Sequence, residues 1–286
     1  MLQQKIQTIV TITYAHISLM RMSVLINILL WFYLGSFFAN EYTIYLYEIL
    51  PSGTAFIFAF SFGNILNDIY DKKIDETNRL ERPLTNNILS IAQAWNFAYI
   101  CAITAIIYSL FTNVFIPVIL ILTLGICYSH PRTSIAKKGF LATLVMIFGY
   151  YIIPFWTGYF LFTKNQYVEY KTFLFFISLL TLVTPILLMK DYRDEIGDKL
   201  YNKRTPLSIL GRQKLFYLII GTLATANILV CIYLYINMQE KRHYIQIITL
   251  MYSLLIVLGA HNTNKLQQLY PLIKLLLFLI FILVIL

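Results

Sequence analysis

The sequence predicts an all-α membrane protein with nine transmembrane helices, and three observations support this fold class. Of the 286 residues, 59% are hydrophobic and only 12% are charged, whereas soluble domains are usually about one quarter charged. Apolar runs long enough to cross a bilayer, about 20 residues each, recur along the whole chain. The longest polar stretches are the two short segments that contain every aspartate. We therefore expect a single polytopic membrane domain over residues 1–286, embedded in the lipid bilayer.

Nine apolar segments define the predicted spans. They are 22–39, 44–67, 91–111, 115–129, 139–162, 171–189, 214–236, 244–260 and 270–286. The third and fourth spans are separated by only a few residues around Thr112 and Asn113, which indicates either a tight helical hairpin or one element divided by these residues. Residues 1–22 have no compact apolar core followed by a cleavage site, so we expect no cleaved signal peptide there.

The basic residues predict the orientation of the chain. The N-terminus and the loops after spans two, four, six and eight, counted with the adjoining ends of the spans, carry 18 of the 22 Lys and Arg residues, and the opposite side carries 4. Because cytoplasmic loops are enriched in Lys and Arg, we expect a multi-pass protein, of the inner membrane if the source is bacterial, with a cytoplasmic N-terminus and both aspartate segments on the cytoplasmic side. The basic residues lie in short loops and not on one polyanion-binding face, so we expect no nucleic-acid partner.

The aspartates form two copies of the pattern D-x-x-D-x-x-x-D. These copies are Asp68, Asp71 and Asp75, at the end of span two, and Asp191, Asp194 and Asp198, at the end of span six. On a helix, positions i, i+3 and i+7 share one face, so each triplet would present its carboxylates as a row. The four spans between the copies are an even number, which predicts a parallel repeat whose two copies open to the same side.

The two carboxylate rows predict a site for magnesium and a diphosphate. Ionised aspartates in a row repel one another unless a cation or basic side chains compensate them. Mg²⁺ prefers hard oxygen ligands, usually a few carboxylates together with substrate phosphates. Neither copy contains a histidine, which disfavours zinc. Basic residues that suit phosphate oxygens follow both copies and occur in a third cytoplasmic loop. The plain structural alternative is that the aspartates are solvated loop residues paired with Lys and Arg.

Three motifs, in this order along the chain, resemble those of the UbiA superfamily of intramembrane prenyltransferases. The first signature is matched by Asn67-Asp68-x-x-Asp71-x-x-x-Asp75 followed by Asn78-Arg79-x-x-Arg82-Pro83. The family's tyrosine-serine-proline loop is matched by Tyr128-Ser129-x-Pro131 with Arg132, Lys137 and Lys138 downstream. The second signature is matched by Lys190-Asp191-x-x-Asp194-x-x-Gly197-Asp198 with Lys203, Thr205 and Leu210-Gly211. The chain departs from many relatives at Arg21-Met22, where they carry a proline.

The resemblance implies nine helices around a central cavity that opens to the cytoplasm. It implies a Mg²⁺-dependent prenyltransferase of isoprenoid biosynthesis, which transfers a prenyl group from a prenyl diphosphate to a small acceptor. The metal ligands that it implies are Asn67, Asp68, Asp71, Asp75, Asp191, Asp194 and Asp198. The implied diphosphate-binding residues are Arg79, Arg82, Tyr128, Arg132, Lys137, Lys138, Lys190 and Lys203. Asp191 or Asp194 is the candidate catalytic base for a phenolic acceptor.

The identity of the acceptor leaves several functions open. We favour an aromatic acceptor, of the quinone-precursor or natural-product type. A glycerophosphate-type acceptor would instead make the protein a prenyl ether synthase, and a member of the fold that acts without an acceptor would be a terpene cyclase. A cation-coupled transporter is the alternative from another class. Transporters generally place acidic residues near the bilayer midplane, whereas these aspartates are predicted at the cytoplasmic edge.

Overall fold

The computed structural model describes residues 2–39, 46–78, 80–163, 167–237, 242–261 and 263–285, and within these ranges the regular structure is helical. The α-helices are α1 (Leu2–Met20), α2 (Met22–Ala39), α3 (Leu46–Tyr70), α4 (Lys72–Thr77), α5 (Ile91–Leu110), α6 (Phe115–Ser129), α7 (Phe140–Ile147), α8 (Ile153–Phe162), α9 (Tyr170–Leu200), α10 (Pro206–Asn237), α11 (Arg242–His261) and α12 (Thr263–Ile285). A 3₁₀ turn covers Ile135–Lys137, and a π-helical segment, Phe148–Ile152, joins α7 to α8.

The predicted all-α membrane class is confirmed. In the described part of the chain, seven helical segments are long and apolar enough to cross a membrane, and they correspond to seven of the predicted spans. The predicted spans 115–129 and 270–286 correspond to shorter apolar helices, Phe115–Ser129 and Pro271–Ile280. The count of nine transmembrane helices therefore stays a prediction. α5 and α6 form the expected helical hairpin, whose turn contains Asn113 in the left-handed region, with φ of 56°.

Helix α1 was not predicted from the sequence, because the first predicted span begins at residue 22. Its Ala15 and Leu19 are buried, whereas Val10 and Tyr14 on its other face are exposed. α1 ends at Arg21, whose φ of 57° lies in the left-handed region that a non-glycine residue rarely adopts. Such a conformation persists only where the surrounding contacts determine it. The contacts of Arg21 are therefore part of the description of the site.

The chain divides into two compact units. The first unit contains residues 1–164 and 196–203, and its core includes Phe32, Phe56 and Phe155. In this unit α2 packs along α8, and α3 packs against α5 and α6. The α2 and α8 backbones approach so closely that a Cβ atom added at Gly35 would lie 1.9 Å from the carbonyl oxygen of Phe155. The aspartates of the first motif extend from the end of α3, which this packing holds in place.

The second unit contains residues 165–195 and 204–286. α10 packs against α11, α11 packs against α12, and the Tyr252 hydroxyl donates to the Leu182 carbonyl at 2.7 Å. A capping box begins α10, because the Thr205 and Ser208 side chains each accept from the other's backbone N–H. A kink at Gly211, with φ of 76°, interrupts the helix. α9 contributes most of its length to the second unit and its last turn to the first.

Candidate active site

The first aspartate triplet lies where α3 ends and α4 begins. Asp71 occupies the junction between the two helices, with Asp68 one turn earlier and Asp75 one turn later. Asp68 and Asp75 are buried. The Asn67 side-chain amide donates to Oδ2 of Asp71 at 2.8 Å, and the amide oxygen of Asn67 accepts from the Arg21 guanidinium at 3.1 Å. The triplet is thus divided between two helices, whereas the second triplet lies on the continuous helix α9.

Two arginines converge on Asp68. The guanidinium groups of Arg21 and Arg82 both donate to Oδ1 of this buried carboxylate. Arg21 also donates to Oδ1 of Asn67 at 3.1 Å, and Arg82 donates to Oδ2 of Asp75 at 2.5 Å. Burial lowers the pKa of Arg21, but the Asp68 carboxylate raises it, and the net direction is upward. Asp68 therefore organises two guanidinium groups, and its predicted role as a metal ligand is untested.

Arg21 is the residue of this site that sequence reasoning missed. In the sequence, Arg21 counted only as a basic residue that predicts the membrane orientation of the chain, at a position where many relatives carry a proline. The Asn64 side chain, buried on α3, donates to the carbonyl oxygen of Met20 at 3.0 Å and so fixes the break between α1 and α2 beside the motif. The sequence offered one signal, which is that Arg21 is a charged residue directly before an apolar span. Its partners Asn67 and Asp68 lie 46 and 47 residues further along the chain.

Asp75 is a carboxyl group that resists ionisation. Burial raises its pKa to about 6, and the nearby Asp68 and Asp71 carboxylates act in the same direction. The Arg82 guanidinium opposes this shift without cancelling it. Burial thus outweighs the attraction of Arg82, and a further cation beside Asp75 would favour its ionised form.

The end of the second motif lies against the first motif. α9 ends in a Schellman arrangement: Asn202 adopts φ of 53°, and the Lys203 N–H donates to the Asp198 carbonyl at 2.8 Å. This turn directs the Lys203 side chain back over the helix end. Its Nζ lies 3.4 Å from Oδ1 of Asp198 and 3.6 Å from Oδ2 of Asp71. One ammonium group thus bridges a carboxylate of each motif. The two motifs were predicted from the sequence to share a site.

Asp191 and Asp194 belong to the second unit, where each has local partners. Oδ2 of Asp191 accepts from the backbone N–H of Leu207, at the start of α10, at 3.3 Å. Asp194 accepts two bonds from Arg193, at 2.7 and 2.9 Å. Both aspartates share the α9 face of Asp198, because they precede it by seven and four positions on one helix. Their predicted roles as metal ligands or base stay predictions.

The remaining predicted diphosphate ligands are distributed as follows. Arg79 lies outside the described residues. Tyr128 is half-buried at the end of α6, and Lys190 is half-buried on α9 in the second unit. Three basic residues of the loop after α6 are exposed, and none forms an ion pair with another described residue: Arg132, Lys137 and Lys138. In the described ranges, Arg82 and Lys203 are thus the predicted basic ligands that contact the first motif.

The chemistry of the donor set fits Mg²⁺. Within the described residues, no three acidic, His or Cys side chains converge closely enough to hold one metal ion between them. The groups present are nevertheless all carboxylate or amide oxygens, which Mg²⁺ prefers. The Lys203 ammonium also marks a position between Asp71 and Asp198 where a cation is favoured. Asn67, Asp71, Asp75 and Asp198 are the residues of the first unit that would hold the ion.

Comparison with known proteins gives a family and a fold. A model of the UbiA prenyltransferase family matches residues 28–282. Digeranylgeranylglyceryl phosphate synthase of Methanococcus aeolicus is 32% identical over 54% of this chain and 52% of its own length. The enzyme of the same name from Methanobrevibacter smithii is 27% identical over 71% of this chain and 72% of its own length. The chain thus spans about half the length of the first of these relatives.

Solved structures resemble the fold over nearly the whole chain. A UbiA homologue from Archaeoglobus fulgidus bound to GPP and Mg²⁺ superimposes with a TM-score of 0.70 at 16% identity, covering 94% of this chain and 97% of that chain. A UbiA homologue from Aeropyrum pernix K1, solved in its apo form, gives a TM-score of 0.69 at 16% identity, covering 93% of this chain and 98% of that chain. At these identities the likeness establishes the shared fold.

Proposed function

This chain belongs to the UbiA prenyltransferase family, and we propose that it transfers a prenyl group from a prenyl diphosphate to a glycerophosphate-type acceptor in a Mg²⁺-dependent reaction. The observation that carries this proposal is the Lys203 bridge between Asp71 and Asp198, because it joins the acidic residues of two distant motifs at one cation position. A row of solvated, separately paired loop aspartates would not require that juxtaposition.

The donor diphosphate is bound by the metal ligands and by the basic groups beside them. Asn67, Asp71, Asp75 and Asp198 would hold Mg²⁺, and Asp191 and Asp194 are further ligands proposed from the sequence. When bound, Mg²⁺ neutralises the charge that develops on the departing diphosphate. Arg21 and Arg82 are oriented by Asp68, and their other N–H groups can donate to phosphate oxygens.

The reaction exchanges one carbon–oxygen bond for another. The bond between the allylic prenyl carbon and the diphosphate oxygen breaks, and the bonding electrons leave with the diphosphate. The acceptor hydroxyl oxygen then forms a bond to that carbon, and the hydroxyl proton is lost. Asp191 or Asp194, which the sequence suggested as the base for a phenolic acceptor, is proposed to accept the proton of the glycerophosphate hydroxyl as well. The central cavity that the family resemblance implies would keep the allylic cation away from water.

The choice of a glycerophosphate-type acceptor replaces the aromatic acceptor that the sequence analysis favoured. The two relatives described above are named for a glyceryl phosphate product, and this supports a glycerophosphate-type acceptor. Arg21 strengthens this choice, because it adds a guanidinium group at the first motif beyond the basic residues predicted to bind the donor. A reaction between a diphosphate and a phosphate needs more basic groups than a reaction between a diphosphate and a phenol.

Product analysis tests the acceptor directly. The purified protein in lipid vesicles would receive geranylgeranyl diphosphate and Mg²⁺ with either a monoprenylated glycerophosphate or a panel of hydroxylated aromatic acids. We expect a doubly prenylated glycerophosphate ether by mass spectrometry. Product formed only with an aromatic acid would make the glycerophosphate assignment wrong and restore the aromatic one. A hydrocarbon product formed without any acceptor would identify a terpene cyclase.

The protein is an integral membrane protein, and we propose that its N-terminus and both motifs face the cytoplasm. This orientation rests on the distribution of 18 of the 22 basic residues. The substrate diphosphate would then reach the site from the cytoplasm.

The raised pKa of Asp75 predicts a pH dependence for Mg²⁺ binding. Below about pH 6 Asp75 is protonated and cannot act as a carboxylate ligand, so the apparent Mg²⁺ affinity should fall as the pH is lowered through this value and protons should be released on binding. Calorimetric titration from pH 5 to pH 8 measures both effects. The Asp75→Asn variant should bind Mg²⁺ more weakly and lose this pH dependence. A dependence that persists unchanged in Asp75→Asn would show that another group is responsible.

A further inference from the structure

A hydrogen bond outside the predicted ligand set connects the two motifs. Oδ1 of Asn78 accepts from the backbone N–H of Gly197 at 2.7 Å, although the residues are 119 positions apart. Both belong to the first compact unit. Asn78 caps the C-terminus of α4, the short helix that carries Asp75, and Gly197 directly precedes Asp198 on α9. This bond therefore fixes the end of one motif against the end of the other.

Gly197 is required here for space, not for an unusual backbone conformation. It lies inside α9, and a Cβ atom added to it would lie 2.6 Å from Nδ2 and 2.7 Å from Oδ1 of Asn78. Atoms at that distance must move apart, so alanine at position 197 would displace the Asn78 side chain. Alanine is otherwise the better helix former. The close approach of the Asn78 amide therefore explains why a glycine occupies this helical position.

We propose that Asn78 and Gly197 form a latch that positions Asp198 against Asp71 and Asp75, and that this latch sets the affinity of the joined site for Mg²⁺. Lys203 also links the two motifs, but through a long, rotatable side chain whose Nζ lies 3.4 Å from the Asp198 carboxylate and 3.6 Å from the Asp71 carboxylate. The hydrogen bond between Asn78 and Gly197, at 2.7 Å, is shorter than these two distances and involves the backbone of α9. It therefore fixes the position of the end of α9 along α4. Asn78 and Gly197 are both positioning residues, since neither would touch the substrate. The proposal rests on the proposed function only for the identity of the cation.

A double-mutant cycle tests the latch in the full-length protein. The variants are Gly197→Ala, Asn78→Ala and the double substitution, and two quantities are measured for each. One is the Mg²⁺ concentration that gives half-maximal prenyl transfer. The other is the rate of amide hydrogen exchange in the peptide that contains Gly197. Gly221→Ala is the matched control, because Gly221 also lies within a helix but an added Cβ atom there meets nothing within 4 Å.

Each single substitution should raise the half-saturating Mg²⁺ concentration about tenfold, the scale expected for a lost buried hydrogen bond, and should accelerate exchange at Gly197. The double variant should resemble either single variant, because both substitutions break the same contact. Asn78→Asp, which keeps an acceptor oxygen, should retain the slow exchange. Gly221→Ala should leave both quantities unchanged.

Three results would overturn the latch. The first is a double variant whose half-saturating Mg²⁺ concentration rises by the product of the two single effects. The second is a Gly197→Ala variant with an unchanged half-saturating Mg²⁺ concentration. The third is a rate of amide exchange at Gly197 that Asn78→Ala does not change. A wild-type protein without Mg²⁺-dependent transfer would instead refute the proposed function. In that case the exchange measurements would still test the latch, because they require neither donor nor acceptor.

Discussion

Replacing Asp71 by Asn should lower Mg²⁺-dependent prenyl transfer about a thousandfold, the scale expected when a group that stabilises the developing charge is lost. Asp71 lies at the junction of α3 and α4, and its Oδ2 contacts both the Asn67 amide and the Lys203 ammonium. It is therefore the carboxylate through which the two motifs meet. Asparagine has nearly the same size but lacks the negative charge, so the fold should be retained. Steady-state kinetics with saturating donor and a Mg²⁺ titration measure the effect.

The control for Asp71→Asn is Glu76→Gln in the neighbouring helix. Glu76 is an exposed acidic residue of α4 whose carboxylate lies 3.7 Å from the Lys72 ammonium, and its replacement should leave transfer near the wild-type rate. Binding of Mn²⁺, followed by electron paramagnetic resonance, distinguishes loss of the metal from loss of folding. Asp71→Asn protein that binds Mn²⁺ with wild-type affinity would show that Asp71 is not a metal ligand.

Asp68→Ala should give the largest loss of stability, about 3 kcal/mol or more, because it removes the shared partner of two partly buried guanidinium groups. The Asp68 side chain is only 3% exposed, and Arg21 and Arg82 both donate to it. Without this carboxylate, two like charges face each other across the site. The left-handed break at Arg21 would also lose its principal contact. Thermal denaturation in detergent measures the change.

The role proposed for Asp68 differs from that of a metal ligand, and a second variant separates the two. Asp68→Asn keeps an oxygen acceptor for one arginine, so it should retain Mn²⁺ binding while the KM for the prenyl diphosphate rises, since the two arginines are no longer held in place. Asp71→Asn should show the opposite pattern. Loss of Mn²⁺ binding in Asp68→Asn, in protein that is still folded, would return Asp68 to the set of metal ligands.

Much of this architecture could be predicted because its causes are local in the sequence. Long apolar runs specify membrane helices whatever their neighbours, and the family and the all-α class are confirmed. The confinement of aspartate to two short copies singled out the residues of the site. Arg82 and Lys203 follow the two copies in the sequence and contact their aspartates in the structure, while their role as diphosphate ligands stays a prediction.

The features that could not be predicted depend on contacts between distant segments. Arg21 reaches Asp68 only because the chain breaks between α1 and α2, and no local pattern marks that conformation for an arginine. The bond between Asn78 and Gly197 joins residues that are 119 positions apart. Its donor is a backbone N–H, which every residue except proline has, so the sequence shows only a glycine inside a helix. The identity of the acceptor could not be predicted for a different reason, because phenols and glycerophosphates both suit basic loops, and the aromatic acceptor favoured from the sequence stays a prediction.

The most direct test of the proposed site is prenyl transfer by the purified protein in lipid vesicles, compared with Asp71→Asn and Asp198→Asn. Radiolabelled geranylgeranyl diphosphate and a monoprenylated glycerophosphate would be supplied with Mg²⁺ or with a chelator. We predict that transfer requires Mg²⁺ and is lost in both variants, because Lys203 contacts one carboxylate from each motif and we propose that the same two carboxylates bind the metal. Transfer that persists in the chelator, or that survives in either variant, would contradict a shared magnesium site.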